Sequence, residues 1–264
     1  MASVIVTGAT GGIGSAVAGT LISGGYHVTA VGRDRDGLDR LRALGAEIII
    51  ADLARAAALR EAVPSPDRLD ALIHCAGVSE VAAIGDARPA VWAETLAVNV
   101  TGAAELTRLM LPALRRACGH VVFVNASPGM RAVPRWSAFV GSKAALRELA
   151  DSLREEEEPS GVRVTTVYPA GTATERLRRV RAAFGRDYDP ARCIQPATLA
   201  AMILWLLSAP PDSYVSELSV LPSPRAQHRR PVSQSTDRPA RLPTEIGSST
   251  SHRIPDAPGA RPAG

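Results

Sequence analysis

The segment T-G-A-T-G-G-I-G, residues 7–14, places glycines at positions 8, 12 and 14. Glycine at each of these points lets backbone N–H groups and a helix start approach a phosphate with no Cβ in the way, so the chemistry on offer is the seating of a pyrophosphate. A glycine trio alone is a weak signal, because many turns are Gly-rich. Here it follows a Val/Ile run and opens an amphipathic one, which points to dinucleotide binding rather than a plain turn. A second signal lies in R-W-S-A-F-V-G-S-K, residues 135–143. It holds the single lysine, Lys143, of a chain with 29 arginines, four residues after Phe139, a ring with no proton to give.

The second apolar run ends in V-G-R-D-R. An NAD site usually places an acid there for the ribose 2′-hydroxyl, whereas Gly32 cannot repel a phosphate and Arg33 can pair with one, so NADP(H) is the favoured cofactor. Arg33 and Arg35 could instead only decorate a helix start, with Asp34 and Asp36 partly neutralising them. Asp52 could accept from an adenine amino group or cap the segment that follows it. The arginines at 176, 178, 179 and 181 suggest a cationic lid for an acidic substrate. Against that, Leu177, Val180 and Phe184 recur at i, i+3 and i+7, as on a helix whose apolar face packs and whose arginines are solvated; this second reading is preferred. His74 reads as a satisfied, neutral core histidine.

No metal site is expected. The acidic run at 154–161 has no partner histidines, and Cys75, Cys118 and Cys193 are too far apart for a zinc site or a disulfide framework. Ser15 lacks the G-x-S-x-G setting of a hydrolase nucleophile, and no hydrolase triad is found.

These residues need a scaffold. Seven runs read as strands, at 3–8, 26–32, 46–52, 70–77, 120–126, 162–169 and 214–222; most are nearly continuous in Val, Ile and Leu, as parallel strands covered on both faces are. Between them lie helical patterns at 12–23, 34–44, 54–63, 89–117, 136–157, 174–184 and 196–207. Gly24-Gly25 and Pro159-Ser160-Gly161 supply stops. Strand then helix, repeated, predicts an α/β fold: a Rossmann-like doubly wound parallel sheet of about seven strands in three layers.

The 264 residues, 46% hydrophobic, suit one domain. Residues 1–224 balance 23 cations against 23 acids, and the net charge of +4 sits in 225–264, a Pro/Arg/Ser-rich tail with no aromatic residue and no periodicity. The tail is expected to be disordered, and a neutral body argues against nucleic acid. No apolar stretch reaches the ~20 residues of a membrane span. Met1-Ala2-Ser3 leads straight into the first strand-like run, so a cytoplasmic location without membrane association is expected.

Residues 3–224 resemble the short-chain dehydrogenase/reductase family. T-G-A-T-G-G-I-G looks like its T-G-x3-G-x-G; H-C-A-G at 74–77 stands where the family usually has N-N-A-G; N-V-T-G at 99–102 looks like its helix asparagine; Y-P-A-G-T-A-T at 168–174 is similar to its P-G-x3-T nicotinamide loop, with Ala170 for glycine. The resemblance implies reversible hydride transfer between a nicotinamide and a carbonyl or alcohol. It also implies a dinucleotide held by Thr7, Gly8, Gly12, Ile13, Gly14, Arg33, Asp52, Leu53, Ala76, Gly77, Lys143, Pro169, Gly171, Thr172 and Thr174. The family's catalysis relies on Asn, Ser, Tyr and Lys. Asn99 and Lys143 match; the tyrosine position is Phe139, the serine position is Ala126, and Ser127 is one residue out of register.

A lysine at this position bonds the nicotinamide ribose and lowers the pKa of a neighbouring phenol. Loss of the phenol and the serine hydroxyl together is expected to cost on the order of 4 to 7 kcal/mol of transition-state stabilisation, less than the sum of the two because they act as a unit. Three rescues present themselves: Ser127 swinging in on a bulge before Pro128-Gly129, the Tyr168 phenol, and Lys143 itself or a water held by Asn99 and Lys143. The water route is preferred. Met130, Arg131, Val133 and Trp136 are expected to line the pocket, with Arg131 either polarising an oxygen or lying on the surface. The leading expectation is an NADP(H)-dependent oxidoreductase acting on a small-molecule carbonyl or an activated C=N or C=C bond by a non-standard proton route. The alternatives are a redox-silent dinucleotide-binding sensor and a non-redox cyclase or isomerase. A homo-oligomer, dimer or tetramer, is expected from the family's habit of pairing its long helices.

Overall fold

Short runs of Val and Ile with no polar alternation can satisfy both faces only inside a covered sheet. The computed structural model describes residues 1–127, 130–210 and 212–224, and there the runs form seven strands: β1 Ser3–Thr7, β2 His27–Gly32, β3 Glu47–Ile50, β4 Ala71–His74, β5 His120–Val124, β6 Arg163–Pro169 and β7 Glu217–Val220. All neighbours are parallel, in the order β3-β2-β1-β4-β5-β6-β7. The predicted doubly wound sheet is the fold observed. The tail expected at 225–264, and Pro128-Gly129, before which a bulge would bring in Ser127, lie outside the described residues.

The helices are α1 Gly12–Ser23, α2 Arg35–Ala43, α3 Leu59–Ala62, α4 Pro89–Leu96, α5 Gly102–Ala117, α6 Ser137–Glu157, α7 Glu175–Ala183 and α8 Pro196–Ser208. One apolar layer joins Val17 and Leu21 of α1 and Leu199 and Ile203 of α8 to Val4, Val6, Ile73 and Val122 of the sheet. The other joins Leu106, Met110 and Leu114 of α5 and Leu146 and Leu153 of α6 to Ile5, Leu72, Val121 and Phe123. Residues alternating along one strand, such as Val4, Ile5 and Val6, therefore feed opposite layers.

Topology places the site. From β1 the chain winds outward to β2 and β3, then returns so that β4 lies on the other side of β1, with Thr7 opposite His74. That reversal opens a crevice beyond the carboxyl ends of β1 and β4, where ligands of such sheets bind. Two expected helices differ. The pattern at 54–63 is a 3₁₀ turn, Ala56–Ala58, followed by the single turn of α3. The pattern at 89–117 is interrupted by a π-helical turn over Ala97–Thr101, which periodicity alone could not show because apolar spacing continues through it.

Two buried histidines share one construction. His74 Nε2 lies 2.9 Å from Thr107 Oγ1, which donates to the Ala103 carbonyl, and His120 Nε2 lies 2.7 Å from Thr165 Oγ1, which donates to the Val215 carbonyl. Each threonine hydroxyl spends its proton on a carbonyl, so each imidazole donates through Nε2, and Nδ1 has no partner among the described residues. His74 is thus neutral as expected but only half satisfied. Burial, with Lys143 behind it at His74 and Arg163 at His120, brings each imidazole down to about 3. Unfolded, each protonates near the ordinary value of about 6.5. Below that pH the unfolded chain binds more protons, so stability is level above it and falls as the pH drops toward 3, by up to about 1.4 kcal/mol per pH unit for each histidine. Urea midpoints between pH 7 and 5 will show this fall, and a His74→Gln, His120→Gln double variant will flatten it; an unchanged slope refutes the assignment.

Candidate functional site

The loop from β1 to α1 is built by close approach. Gly8 has φ +62°, and a Cβ on it would stand 2.6 Å from both the Cα and the N of Ala76, so the chain leaving β1 rests directly on the chain leaving β4. A Cβ on Gly14 would lie 2.2 Å from the Gly8 carbonyl oxygen, which locks the start of α1 onto the loop. Thr7 is buried and accepts at Oγ1 from the Ala76 N–H at 3.4 Å. No side chain caps α1 and its first turn has no acidic residue, so its positive end faces the cleft uncompensated. Ile13 and Gly12 line a 710 Å³ hollow there, with Thr174 and Arg176 opposite.

A contiguous 420 Å³ hollow runs along the ends of β2 and β3, lined by Gly8, Gly32, Arg33, Asp52, Leu53 and Ala76. Arg33 Nη1 is 3.5 Å from Asp52 Oδ2, while Asp52 Oδ1 accepts from the Ala54 N–H at 3.0 Å. Asp52 therefore does cap its own turn, and also faces Arg33. An ion pair so open to water is held weakly, which leaves the guanidinium available to a phosphate.

The π-helical turn carries Asn99 inward. Its Oδ1 accepts from the Val78 N–H at 2.8 Å, and its Nδ2 donates to the Val78 carbonyl at 3.0 Å and to Ser142 Oγ at 2.9 Å. Both amide donors are taken, so Asn99 clamps the loop after β4 to α6, and toward a water beside Lys143 it offers only the second lone pair of Oδ1. Ser142, unremarked in the sequence, is the buried partner that completes this clamp.

Lys143 stands one residue further along α6, buried, with Nζ donating to the Val124 carbonyl at 3.0 Å. Burial, and then the neighbouring Arg176 guanidinium, brings its ammonium down to about 7. Asn125 ties the same region together, donating through Nδ2 to the Lys143 carbonyl and accepting at Oδ1 from the Ala126 N–H. Cys75 also lines both hollows, and burial pushes its thiol up to about 12, so it is a neutral wall.

A third cavity, of 410 Å³, opens beside Asn125 and Phe139. Ala126, Ser127 and Phe139 share its wall with Met130, Val133 and Trp136. Phe139 is stacked on Trp136 with ring centres 4.4 Å apart, and Phe184 meets Trp136 edge-on at 5.7 Å. Arg131 is exposed and not part of this wall. Tyr168 is no substitute phenol: it bonds Glu217 Oε1 at 2.9 Å, and it lines none of the three cavities.

Pro169, Gly171, Thr172 and Thr174 border the cavity from the end of β6. Thr174 caps α7, accepting from the Leu177 N–H at 3.2 Å, and its methyl covers Gly12, where a Cβ would lie 2.6 Å from it. The expectation for α7 needs correcting. Arg178 and Arg179 are solvated and paired with Glu175, but Arg176 turns into the cleft and donates to the Gly77 carbonyl, and Arg181 borders the cavity. The apolar residues Leu177, Val180 and Phe184 form cavity wall as well as packing face. Helical periodicity assigns a face to the core but does not say whether that face also borders a hollow.

Among the described residues, no group of three or more His, Cys, Asp or Glu could hold a metal ion, and no helix is long and apolar enough to cross a membrane. The family model described as short chain dehydrogenase matches residues 2–184. The chain belongs to that family. Among other short-chain dehydrogenases and oxidoreductases, the uncharacterized oxidoreductase YciK of Escherichia coli is 31% identical over 223 residues, spanning 77% of this chain and 85% of its own. A short-chain dehydrogenase from Shigella flexneri, solved in complex with NADP, is 27% identical with a TM-score of 0.73, the match covering 83% of this chain and 95% of that one. Another from Escherichia coli, in complex with NADPH, is 28% identical with a TM-score of 0.72 over the same shares.

Removing the Asn99 clamp orphans the Val78 N–H and carbonyl together. An Asn99→Ala variant is expected to lose about 1 to 3 kcal/mol of unfolding free energy, read from urea denaturation; stability equal to that of the parent chain would show that the clamp holds nothing.

Proposed function

We propose that this chain is an NADP(H)-dependent oxidoreductase that reduces a carbonyl, or an activated C=N or C=C bond, with Lys143 taking over the proton duty of the missing tyrosine. The observation that carries the reading is Lys143: a buried ammonium brought to about 7, one helical turn from Phe139 and close enough to Arg176 and Cys75, which line the nucleotide cleft, to feel both. A general acid works best with a pKa near the operating pH.

The residues present fit the cofactor. Gly8 and Gly14 let the loop close on Ala76 and on itself where any Cβ would clash, and the uncapped start of α1 faces the hollow beside it. Thr7, Gly8, Gly12, Ile13 and Gly14 would take the pyrophosphate, with Thr172 and Thr174 closing from above. Asp52, Leu53, Ala76 and Gly77 would border the adenosine, and Pro169 and Gly171 the nicotinamide. Arg33 would leave Asp52 for a 2′-phosphate, and the NADP and NADPH complexes of the two solved relatives support that choice. When bound, NADP(H) supplies or accepts the hydride. Lys143 keeps one N–H on the Val124 carbonyl and has two more for a ribose hydroxyl and for the substrate oxygen or a water on it. As negative charge grows on that oxygen, a proton passes from Nζ, directly or through the water, and Nζ is reprotonated from solvent.

A second reading, a redox-silent dinucleotide-binding protein, is favoured by the Trp136–Phe139 stack, which occupies with two apolar rings the place where a phenol would act. The two readings separate on turnover: NADPH oxidation with a panel of ketones, enones and imines supports the first, and tight NADPH binding with no turnover until Phe139→Tyr and Ala126→Ser are introduced supports the second.

Calorimetry is expected to find NADPH bound more tightly than NADH, and Arg33→Ala to weaken NADPH by roughly ten- to a hundredfold while leaving NADH nearly unchanged; equal affinity in the parent chain removes Arg33 from the site. The acid must be protonated, so kcat/KM for reduction should be level below about 7 and fall tenfold per unit as the pH rises through it. A profile flat from pH 6 to 9 would exclude Lys143 as the proton source.

A further inference from the structure

The arginines around α7 divide by what neutralises them. Arg178 and Arg179 share Glu175, within 2.6 and 3.0 Å. Arg176 lines the nucleotide cleft as well as the third cavity, where a bound dinucleotide brings its own phosphates. Arg181 and Arg186 border the 410 Å³ cavity but not the cleft. Arg181 donates to the Asp187 main-chain carbonyl at 2.9 Å, and Arg186 lies over the Phe184 ring at 5.6 Å. Neither has a carboxylate within 4.0 Å among the described residues, and no acidic side chain lines that cavity. Asp187 and Asp189 border an adjoining hollow together with Arg181 and Arg186.

The same cavity has an apolar wall of Trp136, Phe139, Met130 and Leu177, the last beside Arg181 at Gly171. A neutral apolar substrate would use that wall but leave unused two guanidinium groups that face no carboxylate in this cavity. A phosphorylated or polyanionic one would satisfy the cations but not the rings. Resting on the reading of this cavity as the substrate chamber, we infer that the substrate is an apolar organic monocarboxylate, its hydrocarbon or aromatic body on the Trp136–Phe139 stack and its carboxylate held by Arg181 and Arg186. Planar guanidinium groups match a carboxylate with paired hydrogen bonds. A volume of 410 Å³ suits a small molecule of this kind.

The test is calorimetric titration of the full chain, alone and with NADPH added, using phenylacetate through 5-phenylpentanoate and the matching primary amides. The best carboxylate is expected to bind roughly tenfold or more tightly than its amide. The preference should shrink several-fold in Arg181→Gln and in Arg186→Gln and vanish in the double variant. An Arg178→Gln, Arg179→Gln variant removes the same formal charge from the same helix and should keep the preference, which separates a specific seat from a general field. Arg181→Lys guards against a lost loop contact at Asp187, since it restores charge and should recover part of the preference. If no carboxylate in the series outbinds its amide, if nothing in the series binds, or if the preference survives the Arg181/Arg186 double variant, the inference is overturned. Failure to bind NADPH is read in the same experiment and overturns only the cofactor reading.

Discussion

The site depends on one place where two backbones touch. Gly8 and Ala76 meet without a side chain between them, at the point where the sheet reverses its winding. That contact brings the start of α1, the end of β4 and the loop through Val78 within reach of one ligand. The cost of any Cβ there is steric, and the positive φ of Gly8 adds a conformational one. The rest of the cleft is hung on this contact: Thr7 fixes it from beneath through the Ala76 N–H, and Asn99 fixes the continuation of the same loop from α6.

From there the polar chemistry follows from scarcity of partners. The described part of the cleft places Lys143 and Arg176 close enough to repel and offers Cys75, a neutral thiol, where a carboxylate would have balanced them. Burial first, and the Arg176 charge second, bring the Lys143 ammonium down to about 7. The lost phenol and lost serine hydroxyl leave apolar walls, Phe139 and Ala126, in a chamber whose ring stack favours apolar surface. Electrostatics on one side and aromatic packing on the other thus meet across the same few ångströms.

Much of this was legible before any coordinates. Continuous Val/Ile runs with Gly-rich and Gly/Pro stops gave the doubly wound sheet, and glycine spacing located the phosphate loop, because both follow from local rules. Several strand ends were read one to three residues too long, as at 70–77 for Ala71–His74, since a parallel strand and the extended loop after it have the same composition, while those at Gly32 and Pro169 were read in place. The π-helical turn at Asn99 was hidden because its apolar spacing is that of an ordinary helix. The hydrogen bond from Arg176 to the Gly77 carbonyl, the half-satisfied His74 and the commitment of Tyr168 to Glu217 depend on what lies across the fold, which no single segment encodes.

Thr174 caps the helix that carries the arginines, and the same side chain roofs Gly12. The first turn of α7 therefore closes over the glycine loop, and α7 in turn forms one bank of the apolar chamber. Ile13, Ser79, Thr174, Arg176 and Val180 border both hollows, so the two compartments share one wall.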